Sequence, residues 1–456
     1  MKRLCWFLLW AFTWGSLKSG EIPVEVRMLN GDLFSGTFRD FDAGYFRVIP
    51  AWGGEPLRFH AAYTGGMRVY TESPITRTAP DTRVRFVNGD RISGRLLSLS
   101  DRELVLQSWW GGEMRAHREF IESLEILPGE ESLIFRGLAP LADWSVLLPQ
   151  GHEELTEPQR KILLPENSRI SRSMPLPESG GVLFEAEISF PSGGTVATLD
   201  FFQTTGQTRP AEGISLSLNQ NWMHVRMVDG NGRQVWVLRE ALPLMIPGEP
   251  ILVAVHLNVR TAEVTVRINE MEYPSFSLYT ERALPGRDDL QWVLQPGRES
   301  GGMRLHHVEF TRVPGVYAPD LTVEDSSKDL VVFGNGDRMA AGVVSMDTAE
   351  VRLTLEGDQR VSVPRDRIRW IRLATRASIH PRRRNRDVTV ALAERGDILT
   401  LAFTGFDARG ISGTSDLWGD IPAIPPGAVR EVRFNIYQHL RHDHGNAGMP
   451  MFLFER

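Results

Sequence analysis

"VRFVNGDRISGRLLSLSDRELVLQSWWGGEMR", residues 84 to 115, nearly repeats "VRMLNGDLFSGTFRDFDAGYFRVIPAWGGEPLR", residues 26 to 58. Each stretch has an Asn-Gly-Asp turn, a later glycine and a Trp-Gly-Gly-Glu run, and Gly89 follows Gly31 by 58 positions. Two further copies lie near the C-terminus, where Gly336 and Gly396 are 60 positions apart. A fixed period of this length indicates a repeated structural module.

Each copy has the pattern of short β-strands. Val24, Val26 and Met28 alternate with charged residues, as a half-buried strand requires. The Asn-Gly pairs are typical of tight hairpin turns. A short stretch without alternation, such as His117 to Ile121, predicts one helical turn before the last strand. The later strands of the first copy are predicted at Leu33 to Arg39, Tyr45 to Ile49, Pro56 to Phe59 and Met67 to Tyr70. Five strands and one turn predict an SH3-like barrel.

The run "NGDLFSGTFRDFDAGYFRV" resembles the first motif of Sm-like barrels, with an Asn-Gly turn, a glycine in the second strand and an aspartate before the third strand. The resemblance implies a small barrel, and Sm-like proteins bind RNA through that aspartate, a following asparagine and a later Arg-Gly pair. The matching aspartates are Asp42, Asp101, Asp347 and Asp407. The asparagine is absent in all four copies, and the stretches "IESLEI" and "IRWIRL" lack Arg-Gly. RNA binding is therefore not expected.

Residues 138 to 313 lose the period and have longer strands. The predicted strands are Gly181 to Phe190, Gly213 to Leu218, Trp222 to Val228, Arg233 to Arg239, Ile251 to Leu257, Ala262 to Ile268 and Met303 to Arg312. Regular strands without an amphipathic helix indicate a β-sandwich. The order "FEAEISF", "GISLSLNQNWMHVRMV", "EPILVAVHLNVRTAEVTVRINEMEY" and "GGMRLHHVEFTR" resembles a concanavalin-type jelly roll, with Asn269-Glu270 where Asn-Gly is common in that fold.

The sequence thus predicts an all-β protein with four SH3-like five-stranded barrels, two N-terminal and two C-terminal, flanking a central jelly-roll β-sandwich. Proline-rich and polar joints separate the domains. The predicted domains are a signal peptide at 1–20, barrels at 22–71 and 82–127, the jelly roll at 138–313, barrels at 328–374 and 387–436, and a C-terminal tail at 437–456.

Composition and the N-terminus indicate an exported protein that does not bind nucleic acid. With a net charge of -6 and a pI near 6.1, the chain lacks the basic surface of nucleic-acid binders. Lys2 and Arg3 precede an apolar run from Leu4 to Trp14, which is too short for a membrane span and typical of a secretory signal peptide. An uncleaved anchor is the alternative. The single cysteine, Cys5, lies inside this run, so the mature chain is expected to have no disulfide and no membrane span.

One pair of acids raises the possibility of glycoside hydrolysis. Glu185 and Glu187 lie two positions apart on a predicted strand and would share a face. A retaining glycosidase needs two carboxyl groups roughly 5 Å apart. Glucanases of the concanavalin fold carry a third acid further along this strand, where this chain has Phe190-Pro191-Ser192. A solvated strand face is the alternative, because alternation alone produces such pairs.

No cofactor or metal site is predicted. His439, His442, His444 and Asp443 could supply metal ligands, but a glycine-flanked tail lacks the fixed geometry of a zinc site. The turn with Asp229, Asn231 and Arg233 has a basic residue and no later glutamate, unlike a calcium loop. The basic run from Arg382 to Arg384 lacks interleaved aromatic residues and indicates a solvated linker.

Tryptophans recur at an equivalent hairpin in three of the four copies: Trp52, Trp109, Trp110 and Trp418. An exposed indole can bind a sugar ring or a protein, because it offers a large contact area at low entropic cost. Alternatively, each indole closes one end of its own barrel or packs on the neighbouring copy. These four residues are the predicted ligand-binding residues.

Two main functions follow as hypotheses. The first is a non-enzymatic interaction scaffold, in the periplasm, in the envelope or secreted, that binds a protein or polysaccharide of the cell envelope. The second is a glycan-active enzyme centred on the jelly roll. Self-association through exposed strand edges is a third hypothesis.

Overall fold

The computed structural model describes an all-β chain. Its described residues are 22–30, 32–42, 44–70, 80–110, 112–129, 132–137, 144–148, 162–175, 177, 180–190, 196–201, 213–219, 221–228, 234–242, 250–258, 261, 263–269, 271–277, 289–297, 301–313, 327–374, 387–392, 397–407 and 409–436. Among them the only helical elements are single 3-10 turns. The predicted signal peptide and the histidine-rich tail lie outside these residues. No helix within the described ranges is long and apolar enough to cross a membrane.

The chain forms two compact units. The first contains the described residues up to Arg77, those of Trp110–Met114 and those from His380 onward. The second contains the described residues of Thr78–Trp109 and Arg115–Ile379. The first unit thus holds the first and fourth sequence repeats with Trp110–Met114 of the second repeat, and the second unit holds the rest of the second repeat, the third repeat and the central segment. Repeats that are distant in sequence therefore share a unit.

In the described part of the chain every repeat contributes five strands. Repeat 1 has β1 Ile22–Met28, β2 Leu33–Asp42, β3 Tyr45–Pro50, β4 Leu57–His60 and β5 Thr64–Val69. Repeat 2 has β6 Thr82–Phe86, β7 Arg91–Leu99, β8 Glu103–Ser108, β9 Glu113–His117 and β10 Ile121–Ile126. The central segment contains β11 to β25, whose bounds follow below. Repeat 3 has β26 Asp329–Phe333, β27 Arg338–Met346, β28 Glu350–Thr354, β29 Arg360–Pro364 and β30 Ile368–Arg372. Repeat 4 has β31 Asp387–Leu392, β32 Ile398–Asp407, β33 Gly410–Ser415, β34 Gly419–Asp420 and β35 Val429–Arg433.

The Asn-Gly-Asp motif makes the same turn in three repeats. The side-chain Oδ1 of Asn30, Asn88 and Asn335 accepts the N–H of the aspartate two positions later, at 2.9 to 3.1 Å. Gly89 and Gly336 adopt φ near +90°, which costs little only for glycine. The motif therefore joins the first two strands, as the sequence predicts.

Strand pairing within each repeat follows one scheme. The first strand pairs antiparallel with the second and the fifth, and the second pairs with the third. A single 3-10 turn precedes the fifth strand, for example Arg118–Phe120 and Arg365–Arg367. The predicted helical turns at these places are confirmed. A bulge recurs near the start of the fifth strand in all four repeats.

Two repeats join in each unit through their fifth strands. In the first unit β5 pairs antiparallel with β35, with Met67 opposite Val432. In the second unit β10 pairs with β30, with Leu124 opposite Ile371. All four of these side chains are buried. Because the same strand of each partner is used in the same antiparallel register, each pair has local two-fold symmetry.

Each junction between fifth strands buries a glutamate against arginines. Glu125 accepts hydrogen bonds from Arg369, at 2.9 Å, and Arg83, at 3.3 Å. Glu431 lies 3.1 Å from Arg433 and 3.8 Å from Arg27. Burial opposes ionisation of Glu431, but the three arginines around it, Arg433, Arg68 and Arg27, outweigh burial and lower its pKa. The junctions therefore combine an apolar centre with neutralised charges.

In the first unit the repeats also share an aromatic core. Phe38 and Phe406 lie 4.4 Å apart between ring centroids, and Phe41 and Phe403 lie 4.6 Å apart. Phe434, just after β35, stacks on Phe46 of β3 at 5.7 Å. These contacts cross from one repeat to the other, so neither repeat encloses its core alone.

The central segment forms a β-sandwich in the second unit. One sheet of eight strands contains β11 Leu133–Arg136, β13 Ile162–Leu164, β15 Gly181–Ser189, β20 Ile251–Asn258, β21 Glu263–Ile268, β22 Met271–Glu272, β23 Phe276–Ser277 and β25 Met303–Val313. A second sheet of seven strands contains β12 Ser145–Leu147, β14 Arg169–Pro175, β16 Val196–Phe201, β17 Gly213–Asn219, β18 Trp222–Val228, β19 Gln234–Ala241 and β24 Asp289–Pro296. The two sheets enclose one apolar core, whose centre is the aromatic group Phe184, Trp292 and Phe310. The predicted sandwich is confirmed.

Candidate functional site

Three of the four predicted ligand-binding tryptophans are buried. Trp109, Trp110 and Trp418 are at most 8% exposed, and Trp52 is 63% exposed. Burial fits the alternative that these three indoles pack against protein. Trp52 lies at the tip between β3 and β4, where a ligand can reach its ring. Ligand binding at this position stays a prediction.

The aspartates that match the Sm-like position stabilise turns in two repeats. Oδ1 of Asp347 accepts the N–H groups of Ala349 and Glu350, at 2.8 and 3.0 Å, and these two bonds lower its pKa. Asp407 accepts the N–H of Arg409 at 2.8 Å and pairs with its guanidinium. In both repeats the aspartate closes the turn between the second and third strands.

The two candidate catalytic acids point away from the core, on the outer face of the eight-stranded sheet. Their neighbours in β15, Phe184 and Ala186, belong to the core, so alternation turns Glu185 and Glu187 outward. Glu185 is buried and lies 3.8 Å from Arg267. In the register it lies opposite Glu309, whose carboxylate accepts a 2.8 Å hydrogen bond from Arg136. Glu185 and Glu309 are therefore two adjacent buried carboxyl groups, each with an arginine beside it.

His256 of β20 lies on the same outer face and is 3% exposed. Burial, with a smaller contribution from the charge of Arg369 in β30, lowers its pKa to about 3. Its imidazole is neutral at pH 7. A charge of repeat 3 thus acts on this face of the sandwich, within the same unit. Such burial does not favour the open groove that a polysaccharide chain needs.

The outer face of the seven-stranded sheet has a different chemistry. Ala197, Leu199 and Phe201 of β16 face the core, so Thr198 and Asp200 face outward. The register places Asp200 beside Ser215, and Ser215 beside Arg226. Burial raises the pKa of Asp200, against the Ser215 hydrogen bond and the charges of Arg169 and Arg226. The middle of this face is thus polar and carries one carboxyl group among the described side chains.

Two exposed tryptophans lie toward the edge of this face. Trp222 and Trp236 are 40% and 62% exposed. The guanidinium carbon of Arg239 lies 4.8 Å from the ring centroid of Trp222, and that of Arg226 lies 5.3 Å from the ring centroid of Trp236. His224 contacts the ring of Trp236 edge-on at 5.4 Å. These five side chains, on β18 and β19, form what we name the Trp/Arg patch.

The patch is electropositive. Burial lowers the pKa of His224, and the charges of Arg239 and Arg226 lower it further. The two guanidinium groups keep their charge at every physiological pH. Nδ1 of His224 is buried and makes no hydrogen bond within the described part of the chain. The patch therefore offers hydrogen-bond donors, positive charge and two indole faces to a ligand.

Sequence reasoning missed this patch, although a signal for it was present. Trp222, His224 and Arg226 occupy alternate positions of a strand whose other residues are apolar, which places them together on one face. Trp236 and Arg239 join them only through the bulge in the β18–β19 register, between Val225 and Arg226. Alternation in the sequence does not predict the position of a bulge, so it could not predict that all five side chains share one face.

Within the described ranges, no group of three or more His, Cys, Asp or Glu side chains could hold a metal ion. The turn with Asp229, Asn231 and Arg233, the run from Arg382 to Arg384 and the histidines of the tail lie outside those ranges.

Comparison with known proteins yields only distant likenesses. No family model matches the chain, and no curated protein matches it significantly. The Emp46p carbohydrate recognition domain, in its potassium-bound form, aligns with 9% identity over 38% of this chain and 90% of its own, at a TM-score of 0.31. A Bacteroides ovatus mixed-linkage glucan GH16 protein aligns with 10% identity over 39% of this chain and 100% of its own, at a TM-score of 0.31. Carbohydrate-binding module CBM66 from Bacillus subtilis aligns with 8% identity over 37% of this chain and 92% of its own, at a TM-score of 0.25. At such low TM-scores these likenesses carry no argument.

Proposed function

We propose that this protein is an exported, non-enzymatic scaffold whose sandwich binds polysaccharide through the Trp/Arg patch. In this proposal the sandwich is a jelly roll of the concanavalin type, and the four repeats are SH3-like barrels that pair within their units. The proposal of export rests on the basic start and apolar run of the N-terminal sequence.

The barrel assignment is supported by the strand order and by the position of the 3-10 turn. In each repeat the fifth strand, the first, the second and the third are neighbours in that order, and the turn directly precedes the fifth strand. Small barrels of the SH3 type have few residues inside and need further contacts for stability. Pairing through the fifth strands supplies such contacts.

The observation that carries the proposal is the exposure of Trp222 and Trp236 on one face. Arg226, directly opposite Trp236, lies four residues from Trp222 in β18, so the backbone positions of the two tryptophans are about 13 Å apart along the strand. That span accommodates several sugar rings rather than one. Indole faces cover the apolar faces of sugar rings, and guanidinium groups donate hydrogen bonds to ring oxygens and hydroxyls. Together they suit an extended polysaccharide.

The location of the candidate acids supports binding rather than catalysis. Glu185 is buried against Arg267 on the other sheet, so a chain held on the Trp/Arg patch lies across the sandwich from it. On the patch side the described carboxyl group is Asp200, which is 7% exposed. A glycosidase needs two carboxyl groups flanking one bond.

The test is binding of the purified full chain to a polysaccharide panel by affinity electrophoresis. Trp236→Ala is the test variant, and Trp52→Ala is its matched control, because the two indoles are equally exposed, at 62% and 63%. The proposal predicts that Trp236→Ala abolishes retardation and that Trp52→Ala leaves it unchanged. Loss on Trp52→Ala alone would move the site to the β3–β4 hairpin. Turnover of any polysaccharide that Glu185→Gln or Glu187→Gln abolishes would overturn the non-enzymatic part.

A further inference from the structure

We infer that the polysaccharide bound by the Trp/Arg patch is acidic, with carboxylate or sulfate groups that Arg226 and Arg239 hold. This inference rests on the proposed function and names the chemical class of its ligand.

The first support is the local charge. On the outer face of the seven-stranded sheet the described charged groups are Arg169, Arg226, Arg239 and Asp200. Three of these four groups are cations. The face is positive in a chain whose net charge is -6. Such a local reversal of sign attracts anionic ligands selectively.

Among the described residues, the acid next to Arg239 in sequence faces away from the patch. Glu240, the neighbour of Arg239 in β19, is opposite Met223 in the register, and Met223 belongs to the core. Its carboxylate therefore points to the other side of the sheet, where its charge contributes to the raised pKa of Tyr273. The two sides of β19 thus carry opposite charges.

The second support is the geometry of the guanidinium groups. Each lies over an indole ring, which restricts its orientation and lowers the entropic cost of binding. The N–H edge of a guanidinium matches the two oxygens of a carboxylate or sulfate. A neutral sugar needs donors and acceptors in equal measure, but the patch is rich in donors.

The third support is His224, which lies between the two arginine-tryptophan pairs. Arg226 and Arg239 both oppose its protonation. An anion bound between the arginines would remove that opposition and would accept a hydrogen bond from the imidazole. A neutral ligand would leave the histidine as it is. A bound anion therefore favours protonation of His224 and gains a hydrogen bond that a neutral ligand does not.

The experiment measures affinity of the full chain for polygalacturonate, for the same polymer fully methyl-esterified, for chondroitin sulfate and for dextran. We expect polygalacturonate to bind at least about tenfold more tightly than its ester, because charge-assisted hydrogen bonds are lost on esterification. A higher salt concentration should lower the affinity for the acidic polymers and leave the affinity for dextran unchanged. Comparison of polygalacturonate with chondroitin sulfate identifies which anionic group is preferred.

Arg239→Gln should reduce the affinity for the acidic polymers about tenfold or more, and Arg239→Lys should restore part of the loss. Arg338→Gln, at an exposed position in β27 of the same unit, is the matched control and should have no effect. Equal affinity for the acid and its ester, with binding lost on Trp236→Ala, would overturn this inference and leave the proposed function standing. If no polysaccharide binds, or if Trp236→Ala changes nothing, the proposed function fails as well.

Discussion

Gly94 and Gly342 occupy the same position of the repeat, in its second strand, yet an added methyl group meets different surroundings. At Gly94 a Cβ would lie 2.6 Å from the backbone oxygen of Gln107 and 2.8 Å from Cγ of Leu106. At Gly342 the nearest atom would be 3.8 Å away, in Thr354. Both glycines lie in the second unit, so Gly94→Ala and Gly342→Ala form a matched pair.

The magnitudes follow from these distances. The carbonyl of Gln107 cannot withdraw without disturbing the β7–β8 pairing, so Gly94→Ala should cost about 2 to 3 kcal/mol through overpacking. Each substitution also gains about 0.4 to 1 kcal/mol, because alanine restricts the unfolded chain. At Gly342 this gain is the whole effect. The two variants should therefore differ by about 2 to 3 kcal/mol.

Thermal unfolding of the full-length variants, followed by intrinsic fluorescence, gives the measurement. For a cooperative unit of this size the difference corresponds to about 4 to 10 °C in the Tm of the second unit. Urea titrations should give the same order with unchanged slopes. Equal Tm values for the two variants, or a lower Tm for Gly342→Ala, would refute the strand register on which the comparison of repeats depends.

Three further predictions concern single residues. Gly36→Ala, whose Cβ would lie 2.2 Å from the oxygen of Ile49, should destabilise the first unit by about 3 kcal/mol and leave the second unit unchanged, as two resolved calorimetric transitions would report. His256 is neutral when folded, with its pKa lowered to about 3, and an unfolded histidine gains a proton near pH 6.5. Stability should therefore fall as the pH drops from 7 toward 3, and the wild type should lose about 2 kcal/mol more than His256→Gln between pH 7.5 and pH 5 in urea titrations. Equal losses would contradict the buried neutral state. Glu431 has a lowered pKa, so its contribution is present above pH 4.5 and is lost in acid. At pH 7 Glu431→Gln should destabilise the first unit by about 2 to 4 kcal/mol, and an unchanged melting temperature would contradict the buried charge cluster.

Much of the local structure could be predicted from the sequence. The Asn-Gly turns, the helical turn before the fifth strand and β18 at Trp222–Val228 follow directly from alternation and turn chemistry. β14, β16 and β24 were missed, although Ala197, Leu199 and Phe201 of β16 alternate with Thr198 and Asp200. Their absence from the prediction concealed the seven-stranded sheet, whose outer face carries the Trp/Arg patch.

The pairing of repeats could not be predicted. Met67 opposite Val432 and Leu124 opposite Ile371 are contacts between segments separated by more than half the chain and by the whole sandwich. Nothing in local propensity distinguishes this pairing from a pairing of repeats adjacent in sequence. The burial of Trp109 and Trp418 also depends on tertiary packing. The sequence predicts only that both residues lie at a hairpin.

The central claim is that polysaccharide binds at the Trp/Arg patch. Its most direct test is hydrogen–deuterium exchange of the full chain with and without saturating polygalacturonate. Among the described strands of its sheet β19 lies at an edge, so we expect its outward-facing amides to exchange readily in the free protein. We predict slower exchange on binding, confined to β18 and β19. Protection confined to the hairpin around Trp52, or unchanged exchange throughout at a saturating concentration, would contradict the account.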